Sequence, residues 1–234
     1  MMPEPYGPEL VVGQLQLEFA GVAPLTLDQR LEEWLSHQDE PTSDVLTAAL
    51  FIADNDSRRR RAVRYKELLE LQAPYAMNES WLVSGGVEVI WLYEEGCRGY
   101  INGAFLSALL CSHAACERVL AGCLFSCREE LDKRWLMWGL GNLMTAAAER
   151  GMINDELRGD LAKLNEIRKV SAHFKPSHET TTSVGYRALS ELTEDSGAAH
   201  EAAINSIVRT DALFALQVAT FMVRSDLSMT AIKL

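Results

Sequence analysis

Arg168 and His173 stand five residues apart in "LNEIRKVSAHFKP", residues 164–176. Their types suit phosphodiester chemistry. A histidine with a pKa near about 6.5 can take a proton from a ribose 2′-hydroxyl or give one to a leaving oxygen. An arginine can clamp a phosphate and stabilise the charge that develops on it. A second reading stays open beside this one: the pair ends a helix, and His173 answers the negative end of its dipole.

The helix that must position them is amphipathic. Leu157, Leu161 and Leu164 form its apolar stripe, and Asn154 can cap it ahead of Asp155 and Glu156. Arg168 follows Leu164 by four residues, so it lies on or beside the stripe, where a guanidinium needs a partner or a ligand. In an unbroken helix a five-residue step is about 140° around the axis and about 7.5 Å along it. The two side chains therefore meet only if the last turn loosens before Pro176, or if a second subunit supplies one half of a shared cleft. Glu117 is the candidate to orient Arg168. The alternative for Glu117 is a solvated residue paired with Arg118 or Arg128.

The surrounding pattern is helical. Residues 10–19, "LVVGQLQLEF", alternate in part and predict a short strand. "PLTLDQRLEEWLSH" predicts a helix capped by Thr26, and another starts near Thr42 or Ser43 and runs to Leu71 with an interruption at "DNDS". After "SGG", residues 87–96 predict a helix. A long helix is expected over the stretch that begins at Arg98, whose Ala108, Ala115, Cys116 and Ala121 allow close packing. Residues 130–150 predict a further helix carrying Trp135, Trp138 and Leu143, and the Arg168 helix comes next. Residues 176–197 predict a loop with a short helix at 186–192, and a last helix is expected at about 198–225. The expected fold class is all-α: an acidic, mostly helical region at 1–86 and a helical bundle at 87–234.

Bulk properties narrow the function classes. The chain has 234 residues, 48% hydrophobic and 24% charged, with a net charge of -11. That charge opposes indiscriminate nucleic-acid binding. It is unevenly spread: residues 1–97 carry 17 acids and 7 bases, and residues 98–234 carry 16 acids and 15 bases. A polyanion can approach the second part locally. No uninterrupted apolar run reaches about 18 residues, so no membrane span is expected, and "MMPEPYGPEL" is not a secretory signal. Five cysteines, four of them between residues 111 and 127, favour reduced thiols and a cytoplasmic location.

Other clusters carry less. Cys116, Cys123 and Cys127 share a helix face with His113, but their spacing suits buried thiols better than a metal clamp. "SRRRRAVRY" gathers Arg58, Arg59, Arg60, Arg61 and Arg64, either as a solvated face answering nearby acids or as a site for RNA or a phosphate-bearing ligand. His178 and His200 fall in or beside the loop. No Walker loop, dinucleotide fingerprint, HExxH or G-x-S-x-G occurs. No metal or cofactor is expected.

"IRKVSAH" resembles the R-x4-6-H signature of the HEPN superfamily. The segment "EEGCRGYINGAFLSALLCSHAACERVL" is similar to the first bundle helix of that family, through Tyr100, Gly103, Ala104 and Glu117. The resemblance covers roughly residues 90–225. It implies an all-α bundle that dimerises, with Arg168 and His173 lining a cleft that cuts RNA without a metal. It also implies a place in toxin–antitoxin or antiphage systems, with an antitoxin or effector protein as partner. One position departs from the pattern: Lys169 stands where a small polar residue is common. Lys169 either adds a phosphate contact or marks a lost catalytic geometry. The alternative function is a non-catalytic HEPN module that binds a nucleotide, RNA or partner protein within a larger assembly.

Overall fold

The computed structural model describes residues 43–75, 83–172, 184–191 and 197–224. About 86% of them are helical and none is in a strand, so the fold class is all-α. The expected strand at 10–19, the helix of residues 24–37, His173 and His178 lie outside the described residues. Two compact units divide the chain, Met1–Ala62 and Val63–Leu234.

Helix α1, Ser43–Gln72, belongs to the first unit as far as Ala62. Its last turns belong to the second. There Tyr100 donates a hydrogen bond to Glu67 (2.7 Å), and Arg209 also pairs with Glu67. Gln72 donates to the Tyr93 hydroxyl (2.7 Å), which bonds Thr220 at 2.9 Å. Burial pushes the Tyr93 hydroxyl up to about 12, so it stays protonated as a bridge.

Helices α2 (Val87–Asn102) and α3 (Phe105–Leu124) replace the expected break near residue 97 and the long helix after it. The first runs on through Tyr100, and the chain turns at Gly103, whose φ is 84°. There the N–H of Ala104 reaches back to the Gly99 carbonyl at 2.8 Å. This left-handed stop is what glycine favours after a helix, and apolar periodicity alone does not reveal it.

Helix α3 is the centre of the bundle. It packs against α2, α4 (Leu140–Glu149), α5 (Asp155–Ala172) and α7 (Gly197–Arg224). Ala108, Ala115 and Cys116 are fully buried at its close contacts, as their size suggested. Near its C-terminal end the turn at Ser84–Gly86 crosses it so tightly that a Cβ at Gly122 would stand 2.1 Å from the Gly85 nitrogen. The short helix α6, Val184–Glu191, packs on α7, where Arg187 pairs with the buried Asp211.

The helix expected over 130–150 begins only at Leu140. Only α4 is α-helical there; Phe125–Glu130 and Trp135–Met137 are 3₁₀ turns. Local hydrogen bonds explain the difference. Asp132 accepts the Arg134 N–H on its side chain at 2.7 Å and the Trp135 N–H on its carbonyl at 2.9 Å, closing a turn that competes with the helix.

Two segments, Phe105–Glu130 and Ala199–Arg224, are long and apolar enough to cross a membrane, although no span was expected from the run lengths. Of their most apolar windows, 56% and 50% are buried inside the fold. These windows supply the core of the bundle.

Candidate functional site

Arg168 reaches its place through three local decisions. Asn154 Oδ1 accepts the Leu157 N–H at 2.9 Å and starts α5, as its residue type predicted. Leu161 and Leu164 are fully buried, each contributing roughly 1.5–3 kcal/mol, and they fix the rotation of the helix. Asn165, Arg168 and Lys169 then share one face, at i, i+3 and i+4. Arg168 is half-buried, in keeping with a position beside the apolar stripe.

That face lines a groove of about 770 Å³. Its other walls are His113 and Glu117 of α3 and the segment 136–142 that leads into α4. Leu136 and Met137 form an exposed apolar lip, 77% and 86% accessible.

His113 is buried, and its Nε2 stands 3.4 Å from Asn165 Oδ1. Burial holds its pKa below the ordinary 6.5, and the positive charge of Arg168 pushes the same way. The Asn165 hydrogen bond and the Glu117 charge oppose them without prevailing. The imidazole is therefore neutral at neutral pH. A Cβ at Gly141 would come within 3.3 Å of Asn165 Nδ2, so the amide is held between α3 and the start of α4.

Glu117 has a use that its sequence position did not suggest. Its Oε2 accepts the Leu140 backbone N–H at 3.0 Å, which caps α4 where Gly139 has no side chain to do so. The arginines proposed as its surface partners are engaged elsewhere. Arg118 pairs with Glu88 at 3.2 Å, and Arg128 lies 4.5 Å over the Phe125 ring. Glu117 and Arg168 nonetheless line one groove. Lys169 lines it as well, and its Nζ bonds Glu166 Oε1 at 2.6 Å.

The structure thus brings together Arg168, Lys169 and Glu117, and adds His113 and Asn165. Both additions carried a signal in the sequence: Asn165 precedes Arg168 by three residues, and His113 precedes Glu117 by four, each on a shared helix face. Of the other candidates, Cys116 and Cys123 are buried; burial pushes the Cys116 thiol up to about 12 and raises that of Cys123. Cys127 lies in the 3₁₀ turn rather than on the α3 face, and its thiol donates to the Leu124 carbonyl. Among the described residues no three His, Cys, Asp or Glu side chains group as metal ligands would. His200 lies near the start of α7, outside the groove.

No family model, no curated protein and no solved structure matches this chain.

Proposed function

We propose that the protein is a metal-independent endoribonuclease of the HEPN kind, of the sort found in toxin–antitoxin or antiphage systems, and that it acts as a homodimer. The observation that carries this reading is the half-buried Arg168 in a groove that also holds Lys169. Two cations on one wall suit a phosphate diester, and a neutral hydrogen-bonding pair, His113 and Asn165, lies beside them. Arg168 clamps the scissile phosphate. His173 takes the proton from the 2′-hydroxyl, the 2′-oxygen bonds to phosphorus, and the P–O5′ bond breaks. The products are a 2′,3′-cyclic phosphate and a 5′-hydroxyl, whose proton is the one that His173 took up, returned directly or through water. The nucleophile is internal to the substrate, so this chemistry asks nothing of a metal ion.

A second reading has its own support. Lys169 is tied to Glu166, and Glu117 is engaged in capping α4. A groove with those commitments suits a non-catalytic module that holds a nucleotide, RNA or partner protein. End analysis of labelled RNA after incubation in EDTA separates the two. A cyclic phosphate end supports cleavage, and intact RNA that nevertheless binds supports the module.

A further inference from the structure

The arginine run of α1 is absorbed by neither reading. Residues 57–66 hold six cationic side chains and no acid, in a chain whose net charge is -11. Within the first unit, Arg58, Arg59 and Arg60 are all exposed. Three consecutive exposed positions cover about 200° of helix circumference, so solvent surrounds this part of α1 on most sides. Asp54 answers two of the four neighbouring arginines. It bonds Arg61 at 2.7 Å and lies 3.6 Å from Arg58. The Arg61 hydrogen bond lowers the pKa of Asp54, helped by the charges of Arg61 and Arg58. Among the residues whose side chains are described, no acid pairs with Arg59 or Arg60.

We infer that Arg58–Arg61 form a phosphate-tracking strip for single-stranded RNA, separate from the Arg168 groove. The identity of the polyanion rests on the ribonuclease reading; the binding itself does not. Two features favour a nucleic-acid backbone over other partners. A protein interface concentrates its energy in buried aromatic or apolar anchors, and residues 57–61 contain none. A membrane surface asks for an apolar face opposite the basic one, and here the arginines wrap the helix instead. A phosphate backbone asks only for cations along a line, and it can displace the exposed Arg58–Asp54 pair, which holds weakly.

The test is binding of fluorescein-labelled oligouridylate to the full-length chain across a salt series. With Arg59→Ala and Arg60→Ala together, the slope of log affinity against log salt should flatten by about 1.4, since each phosphate contact in single strands contributes about 0.7. Arg59→Lys with Arg60→Lys should restore the slope, because charge alone is required. Arg59 and Arg60 are both exposed, and circular dichroism should be unchanged. Dinucleotide cleavage by the double alanine variant should match wild type, because the groove alone acts on so small a substrate; its loss would overturn the strip as a site distinct from the groove. An unaltered slope in the double alanine variant overturns the inference. Equal, arginine-dependent binding of polyglutamate, or of phosphatidylserine vesicles, overturns the assignment to RNA.

Discussion

Glu117 Oε2 accepts the backbone N–H of Leu140 at 3.0 Å, across 23 residues of chain. The contact ties the central helix to the start of α4, and it does so in the wall of the Arg168 groove. Removing it tests whether the groove depends on that tie. Glu117→Ala should cost about 1 kcal/mol, as loss of a helix cap does. The melting temperature should fall by roughly 2–4 °C for a domain of this size. Glu117→Gln keeps an acceptor oxygen and should lose less. Equal losses in thermal melts would mean that the negative charge matters rather than the cap.

Close packing at the Ser84–Gly86 turn gives a sharper stability test. Gly122→Ala must push backbone apart and should cost about 1–3 kcal/mol, as overpacking does. Gly159 is the control. It lies within α5 with open space around its Cα, so Gly159→Ala should stabilise the fold by about 0.5–1 kcal/mol. Denaturant midpoints of the two variants should move in opposite directions.

His113 predicts a pH dependence. Its folded pKa lies below the ordinary 6.5, so the unfolded chain binds the proton more readily. The stability this contributes is complete above the unfolded pKa. It is lost as pH falls from about 6.5 through the folded value. Melting temperatures between pH 7.5 and pH 5 should therefore drop more steeply in wild type than in His113→Gln. Parallel curves would remove His113 as the cause.

Lys169 lines the groove but is paired with Glu166 on a half-exposed surface, 42% and 58% accessible. Such pairs contribute about 0–1 kcal/mol, so Lys169→Asn should leave the melting temperature nearly unchanged. RNA affinity should weaken, because a phosphate can compete for the ammonium. Tighter RNA binding or faster cleavage in the variant would identify lysine as a hindrance in the groove.

Much of this arrangement is legible from residue types. Asn154 announces the start of α5, and the Leu157–Leu161–Leu164 stripe fixes its buried face and so places Arg168 at a groove edge. Part of what the sequence concealed comes from the competition between helix and local turn, and part from contacts between residues far apart in the chain. Gly103 stops α2 with a left-handed residue inside an apolar stretch that otherwise continues. Asp132 captures backbone N–H groups that a helix would have used. The cap from Glu117 to Leu140 is invisible to periodicity because its partners are far apart in the chain. In the sequence His113 stands among cysteines, and only the packing of α3 on α5 puts it beside Asn165.

The most direct test of the central claim is single-turnover cleavage of labelled RNA by the full-length protein in EDTA, with Arg168→Ala and His173→Ala measured beside wild type. Wild type should leave cyclic phosphate ends. Each variant should lose rate by on the order of 10² or more, with both still folded by circular dichroism. Wild-type protein that leaves RNA intact, or an Arg168→Ala variant that cuts as fast as wild type, contradicts the claim.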